Sequence, residues 1–598
     1  MTPRRLFDAI AYQLEKLPKD DMLAAKEEGG VWRKYSTSEV RDIVDRFSGG
    51  LIHLGIGAND RSIDGRDKVA VISANRPEWM FLDLAVQQTG AILIPIYPTI
   101  NVLELEFILN DAQVKLVFTG DRELYKKVQG IREKCPSVRA VYTFDYLQEA
   151  LHWKEIPSHA TEADMVALKA ARDAVQYEDL ATILYTSGTT GTPKGVMLSH
   201  RNILSNVLAS LDIFESIIVT KNDRALSFLP LNHIFERFAM YIYFFSGVSI
   251  YYAENLEKIG DNLREVQPTV FSTVPRLLEK VYDRIIGKGQ ELTGVKRKLF
   301  FWAVSVGDRY QTGNAQGWLF NMQLAIANRI IFNKWREGLG GKVRAIVTGA
   351  AACQVRLLRI FTAAKIVIME GYGLTETSPV ISVNRFEEKD RRFGTVGPIL
   401  KGVEVKLAED GEICARGENI MMGYYKRPDL TAEAIDSDGF FHTGDIGIME
   451  EGRFLKITDR KKEIFKTSGG KYVAPQPIEN KMKESEFIEQ MMVVGAECKF
   501  AAALIVPAFG KLKEWATQHG LRNDSVHALL RDPKVIELYK GIVERYNLLF
   551  NHVEQVKKFE LLEKEWTIDG GELTPTLKLK RKVIMEKYRD SVDRIYAE

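Results

Sequence analysis

The tightest constraint on this chain is a rhythm of short apolar runs rich in β-branched residues. They recur at 68–74 (KVAVISA), 91–97 (AILIPIY), 115–120 (KLVFTG), 181–187 (ATILYTS), 269–274 (TVFSTV), 345–351 (AIVTGAA) and 365–373 (KIVIMEGYG). Each run is shorter than a typical helix, and amphipathic stretches separate them. This is the pattern of parallel strands buried on both faces and joined by crossover helices. From about Pro398 it gives way to short strands and glycine turns, VEVKLAEDGEICARG and then GRFLKITDR, which read as an antiparallel subdomain over about 395–459. A further shift falls at Asp459-Arg460-Lys461-Lys462-Glu463, beyond which long helical patterns mix with strands. The expected fold class is therefore α/β. A large N-terminal domain over 1–459 is made of parallel-type sheets sandwiched by helices plus the β-rich subdomain. A small α+β C-terminal domain over 460–598 follows, with a hinge at 459–463. The aromatic-rich span from about Ile285 to Asn333 is expected to be a helical hairpin packed on the core.

Composition narrows the function classes. With 598 residues, 45% of them apolar and 27% charged, the chain is neither a peptide-sized module nor disordered. Its 82 Lys and Arg nearly cancel 80 Asp and Glu, so no bulk attraction to polyanions exists and no nucleic-acid partner is expected. Cys135, Cys353, Cys414 and Cys498 lack any C-x-x-C spacing, so neither a zinc site nor a disulfide framework is expected, and a reducing, cytoplasmic setting fits. The N-terminal stretch carries charges every few residues, unlike an export signal. The longest apolar run, Phe238 to Tyr252, falls short of the roughly 20 residues that span a bilayer. Membrane contact, if made, is peripheral and at the inner face. The candidates are Arg4-Arg5 and the aromatics of the insertion, residues that read equally well as surface and core.

The segment richest in chemistry is Tyr185-Thr-Ser-Gly-Thr-Thr-Gly-Thr-Pro-Lys-Gly195, directly after a strand-like run. Glycines let a backbone approach a ligand closely, hydroxyls and N–H groups surround anionic oxygens, and a lysine adds charge, which together make a phosphate cradle. It is not a Walker A loop, because Gly188 and Gly191 are too close and Lys194 is followed by glycine. YTSGTTGTPKG closely resembles the phosphate-loop signature of the adenylate-forming enzymes, the superfamily of acyl-CoA synthetases, nonribosomal-peptide adenylation domains and beetle luciferases. Further matches follow in the family's order across nearly the whole chain.

The resemblance implies a set of roles. Thr186, Ser187, Gly188, Thr189, Thr190 and Lys194 would surround the phosphates of ATP. Glu370-Gly371-Tyr372-Gly373-Leu-Thr375-Glu376-Thr resembles the second signature, in which the turn lies along adenine and Glu376 holds Mg2+, with Thr186 as a second oxygen ligand. A hard cation suits carboxylate and phosphate oxygens. Gly349-Ala350-Ala351 resembles the small-residue wall across the adenine and acyl pocket. His442-Thr-Gly-Asp445 resembles the ribose signature, where two carboxylate oxygens match a vicinal diol. Asp459 to Glu463, on composition alone a solvated charge run, resembles the inter-domain hinge, with Arg460 near the ribose and Lys462 at the pivot. Glu572-Leu-Thr-Pro-Thr-Leu-Lys578 resembles the last signature and makes Lys578 the catalytic lysine. Many relatives have Ser-Gly before this lysine, where this chain has Thr576-Leu577, and Lys580 is the fallback. Lys466 and Tyr472 are carried over as nucleotide contacts, and Gly469-Gly470 as the approach for the pantetheine arm.

The activity so implied has two steps. A carboxylate attacks the α-phosphate of ATP and releases pyrophosphate, and the coenzyme A thiol then attacks the acyl-adenylate and releases AMP. Two anions must meet in the first step, so charge neutralisation and positioning dominate, and no enzymic nucleophile is needed. A lysine poised for the first step obstructs the second, which is why relatives rotate a mobile C-terminal domain between them. Leu229-Pro-Leu-Asn-His233-Ile-Phe-Glu-Arg237 resembles the acyl-site segment of long-chain fatty acyl-CoA synthetases, with His233 over the carboxylate, although a lone histidine beside apolar residues is commonly a satisfied structural group. The resemblance therefore implies a long-chain fatty acid and coenzyme A as partners, with ATP and Mg2+. A medium-chain or aryl acid:CoA ligase, a fatty acyl-AMP ligase loading a carrier protein, and a silent nucleotide-binding scaffold are the competing readings.

Overall fold

The computed structural model describes residues 3–187, 193–312, 316–521, 525–568, 570–574 and 577–597. All seven apolar runs become strands, but they divide between two eight-stranded sheets. One sheet runs from edge to edge through Gly423–Tyr424, Pro193–Ser199, Leu180–Ser187, Ile92–Ile96, Lys68–Ile72, Leu116–Thr119, Ala140–Thr143 and Leu151–His152. The other runs through Val380–Val383, Val367–Gly373, Ala345–Thr348, Val270–Thr273, Arg224–Ser227, Ser249–Tyr252, Leu23–Lys26 and Trp32–Tyr35. Both are parallel at their centres and antiparallel toward an edge: Val367–Gly373 pairs parallel with Ala345–Thr348 and antiparallel with Val380–Val383.

Three helices, Pro77–Gln88, His200–Phe214 and Ile234–Ser246, contribute to the apolar cluster that takes in strands of both sheets. A helix that packs on both sides must be apolar nearly all round. In Pro77–Gln88 every residue but Glu78 is buried, and the run FAMYIYFFS forms most of Ile234–Ser246. Arg237, beside Glu236 in its first turn, is fully buried and paired with Asp83, its Nε donating to Oδ2 over 3.1 Å. Tyr241 donates to the same Oδ2 at 2.7 Å and Gln87 to Oδ1 at 2.7 Å. A buried charge is tolerable only when paired and hydrogen-bonded in this way. The network fixes the two helices against each other, and with them the start of the second at His233.

Beyond these layers lies a five-stranded antiparallel sheet, ordered Gly397–Pro398, Phe454–Arg460, Phe441–Glu450, Glu412–Gly417 and Val403–Leu407. The C-terminal segment has a three-stranded sheet of Ile488–Val494, Ala502–Pro507 and Lys558–Leu561, covered by helices that include Pro475–Met482 and Pro533–Asn547. The apolar clusters separate between the two parts of the chain. Three draw only on residues up to 457 and two only on residues from 465 onward. What joins the two parts is polar, for example Lys511 donating to Gln290 at 2.7 Å and the ion pair of Arg276 with Glu489.

The stretch from about Ile285 to Asn333 falls, among the described residues, in helices Pro275–Gln290, Gly294–Asp308 and Gly317–Ala327, the last continuing through a π-turn to Gly338. Arg5 pairs with Asp8 at 3.0 Å and lies over the Phe7 ring. No helix among the described residues is long and apolar enough to cross a membrane.

Candidate functional site

A cavity of about 2010 Å³ opens at the C-terminal ends of the central strands and is closed on its far side by the segment after 460. Crevices at strand C-termini, where connections diverge, are the ordinary ligand sites of such sheets. The glycine-rich loop does not follow the strand-to-helix path of a P-loop. Strands Leu180–Ser187 and Pro193–Ser199, which flank the loop, pair antiparallel, with Thr186 opposite Lys194. Thr186 and Lys194 line the cavity, and the Lys194 ammonium sits 5.3 Å from the centre of the Tyr424 ring. Gly188, Thr189 and Thr190 lie outside the described residues, and Ser187 is described as backbone only.

The strand Val367–Gly373 delivers Glu370, Gly371, Tyr372 and Gly373 to the opposite wall, and Gly349 and Ala350 follow the neighbouring strand. Here glycine is required by space: a Cβ on Gly373 would stand 1.7 Å from the carbonyl oxygen of Pro379. Glu370 is buried and accepts the Cys353 N–H at 2.7 Å, and burial pushes its carboxyl up to about 8, so it is neutral near pH 7. All four cysteines are free, and Cys353 is buried.

Three charged groups converge. Asp445, on strand Phe441–Glu450, accepts the Tyr372 hydroxyl at 2.7 Å through Oδ2 and faces Arg460 Nε at 3.4 Å through Oδ1. Burial raises its carboxyl, with Arg460 opposing. Glu376 accepts the Tyr424 hydroxyl at 2.9 Å, and burial raises it too, offset by Tyr424, Lys194 and Lys578. Lys578 comes from the far wall, and its ammonium is lowered to about 8 by desolvation and then by Arg460, with Asp445, Glu376 and Glu463 opposing. Thr375, Lys462 and Lys580 line the same cavity. Leu577 explains how the chain tolerates its departure from Ser-Gly. Its φ is +62°, the left-handed region in which glycine is at ease, and Thr574 and Lys578 close a turn around it by a 2.8 Å backbone hydrogen bond. The lysine is thus presented as a glycine would present it, at the cost of local strain.

His233 caps helix Ile234–Ser246, its Nδ1 accepting the Phe235 N–H at 3.1 Å. That bond leaves the hydrogen on Nε2, and burial lowers the ring to about 4, so it is a neutral donor on the cavity wall. Phe235, Phe238, Ala239 and Ile242, one face of that helix, continue the wall with Ile213 and Phe214 as an apolar arm. Glu236 and Arg237 of the same motif do not face it; both are buried, Arg237 in the pairing with Asp83. Lys466 and Tyr472 do not line the cavity; they face each other across the paired strands Phe465–Lys466 and Tyr472–Val473, the ammonium 5.7 Å from the ring centre, with Tyr472 69% exposed.

Two further residues hold the site together. Tyr424 orients Glu376 from 48 positions away, a distance at which no sequence spacing signals contact. Arg581 ties the lysine segment down, with bidentate 2.7 Å bonds to Glu479 and a 2.9 Å bond to Glu463; its place three residues after Lys578 was the available signal. Glu412, Cys414 and His442 form the group of potential metal ligands found among the described residues, and it does not include Glu376. Glu412 is already committed to Lys461 at 2.8 Å, His442 at 3.2 Å and the Gly444 N–H at 2.9 Å.

The first part of the chain, residues 11–425, matches the family of AMP-binding enzymes, and residues 462–598 match the AMP-binding enzyme C-terminal domain. The chain belongs to the AMP-binding enzymes. Among characterised proteins this AMP-binding enzyme is 34% identical over 599 residues to the long-chain-fatty-acid–CoA ligase FadD15 of Mycobacterium bovis, covering 98% of the chain and 96% of the relative. It is 34% identical over 561 residues to human long-chain-fatty-acid–CoA ligase 1, covering 88% and 78%. Among solved structures, the adenylation domain of a carboxylate reductase from Mycobacterium chelonae superposes with a TM-score of 0.74 at 21% identity, covering 99% of this chain and 91% of that one. The O-succinylbenzoate coenzyme A synthetase of Bacillus subtilis, in complex with ATP and magnesium, gives 0.66 at 18%, covering 96% and 98%. These two likenesses concern the fold.

The donor set fits magnesium. Glu376 and Thr186 offer oxygen only, and a single carboxylate completed by substrate phosphates is how Mg2+ is usually held.

Proposed function

We propose that this AMP-binding enzyme converts a long-chain fatty acid to its coenzyme A thioester, using ATP and Mg2+. The observation that carries the reading is the meeting of Asp445, Glu376 and Lys578 in one cavity that continues into an apolar arm under His233. Full-length likeness to long-chain-fatty-acid–CoA ligases supports the choice of acid.

Asp445, oriented by Tyr372 and Arg460, receives the ribose hydroxyls of ATP, and Gly371 to Gly373 with Gly349 and Ala350 flank the adenine. The phosphates lie beside Thr186 and Lys194, where Mg2+ held by Glu376 and Thr186 would supply neutralising charge. His233 donates from Nε2 to the acid carboxylate and Lys578 draws that carboxylate and the α-phosphate together. A carboxylate oxygen then forms the bond to the α-phosphorus as the bond to pyrophosphate breaks. A turn about 459–463 withdraws Lys578, and the thiol of coenzyme A attacks the acyl carbon, expelling AMP.

The test is CoA-dependent AMP production with a ladder of acids. An apolar arm gains roughly 0.8 kcal/mol per methylene, so kcat/KM is expected to rise up to about fourfold per added methylene toward 16 carbons or so. A flat profile, or a peak at aryl acids, would contradict the long-chain assignment. Accumulation of acyl-adenylate in the presence of coenzyme A would point to a carrier protein as the acceptor.

A further inference from the structure

Strand Glu412–Gly417 carries Glu412 and Cys414 two residues apart, and residues so spaced on a strand share a face. Its antiparallel neighbour Phe441–Glu450 sets His442 directly opposite Cys414. The register shifts between Glu412 and Cys414, an irregularity of the kind that re-aims side chains. The result is three different metal-binding groups whose ligand atoms all lie within 4.8 Å of one another. His442 Nδ1 stands 3.5 Å from Cys414 Sγ and 3.2 Å from Glu412 Oε2. Tetrahedral zinc, with bonds of about 2.0 Å to nitrogen or oxygen and about 2.3 Å to sulfur, sets neighbouring ligand atoms roughly 3.3 to 3.6 Å apart. Both separations are therefore close to the edges of such a tetrahedron.

The groups that support such a site are present too. A metal-bound histidine normally turns its other nitrogen to a carboxylate, and His442 Nε2 faces Asp436 Oδ2 at 3.4 Å. Asp436 is in turn fixed through Oδ1 by the N–H groups of Phe440 and Asp438, at 2.8 and 3.0 Å. Glu412 Oε1 accepts the Gly444 N–H at 2.9 Å, which leaves Oε2 for a cation. Cys414 is fully buried, but Glu412 and His442 line the main cavity, so an ion has an entry path. Two cations border the group. Lys406 pairs with Asp436 at 3.1 Å, and Lys461 lies 2.8 Å from Glu412 Oε2 and 2.6 Å from Asp410. The Lys461 ammonium thus supplies the positive charge that Glu412 faces in the metal-free chain. Its side chain is half-exposed and keeps Asp410 as a partner when it leaves Glu412.

We propose that Cys414, His442 and Glu412 form a site for one zinc ion, or a divalent ion of similar softness, that takes Glu412 from Lys461. A thiolate and an imidazole select zinc over magnesium, so the site is distinct from the all-oxygen pair of Glu376 and Thr186. On binding, the thiol S–H bond, directed at the Glu412 carbonyl oxygen 3.7 Å away, breaks as the sulfur–metal bond forms, and the proton passes to solvent. The sequence hides the site because its sulfur and nitrogen lie 28 positions apart on two strands, with no C-x-x-C pair to announce them. The proposal stands independently of the acid and of the acceptor.

The test is titration of the full chain, first stripped with a chelator, with Co2+ and then with Zn2+. Co2+ is expected to produce a thiolate-to-metal charge-transfer band that saturates at one ion per chain, with release of a proton, and Zn2+ to abolish it. Excess Mg2+ is expected to leave the band unchanged. Cys414→Ser should remove the band and Asp436→Asn should weaken Co2+ binding about ten- to a hundredfold, whereas Cys353→Ser, which removes another buried thiol, should do neither. Lys461→Met should tighten binding, a gain that misfolding cannot produce. The proposal is overturned if the unaltered chain gives no band, if Cys353→Ser rather than Cys414→Ser removes it, if Mg2+ displaces Co2+, or if Lys461→Met binds no more tightly.

Discussion

The proposed first step needs Lys578 as a cation, in a place that resists cations. Desolvation and the neighbouring Arg460 hold its ammonium at about 8, so the charged form dominates below that pH and is lost above it. Release of pyrophosphate is therefore expected to show an alkaline limb near pH 8 in kcat/KM, which reports the free enzyme. Arg460→Gln removes the second cause and should move that limb to higher pH; an unmoved limb would assign it to another group. Lys578→Ala should slow adenylate formation by about a hundred- to a thousandfold and leave thioester formation from supplied acyl-adenylate largely intact. Equal loss of both half-reactions would contradict the role. Much of the placement at this scale was legible in the sequence, because residues such as Asp445, Glu376 and Lys194 sit in compact motifs that resemble those of the adenylate-forming enzymes, and all three line one cavity. Tyr424 and Glu479 were not legible, because each acts through a contact across the fold, and Lys466 and Tyr472 sat in a plausible motif but do not line the cavity.

Elements explain why the right side chains meet. The turn that presents Lys578 leads directly into helix Arg581–Lys587, and Arg581 clamps it between Glu479 on helix Pro475–Met482 and Glu463, just after strand Phe454–Arg460. Arg581→Met leaves the buried Glu479 without its cation, which is expected to cost about 3 kcal/mol in urea-denaturation stability. The double variant Arg581→Met/Glu479→Gln should recover most of that stability without recovering adenylate formation; recovery of both would make the pair merely structural. The seven apolar runs declared their strands in the sequence, since period and β-branched content are local properties. Their division into two sheets was not declared, because strand order depends on which runs pair. The antiparallel pairing of the strands that flank the phosphate loop was likewise hidden: the partner strand, PKGVMLS, carries the lysine and glycine of the motif itself and reads as loop rather than ladder.

On the scale of the molecule, one cavity is walled by two parts of the chain whose apolar cores are separate and whose contacts are polar. A ligand that touches both walls and binds only the folded chain stabilises it by about 2.7 kcal/mol at a hundredfold excess over Kd. A non-reactive acyl-adenylate analogue is therefore expected to slow amide hydrogen exchange both in strand Val367–Gly373 and in the Leu573 to Lys578 turn. Protection confined to the strand would mean that the far wall is not engaged. The same division separates two kinds of inheritance. Residues of the apolar arm, Ile213, Phe214, Phe235, Phe238 and Ile242, are all encoded in the first half of the gene, whereas the lysine of the far wall is encoded near its end. Duplicated copies of such a gene can drift toward new acids through changes in one stretch while the cation serving every acid is transmitted unaltered.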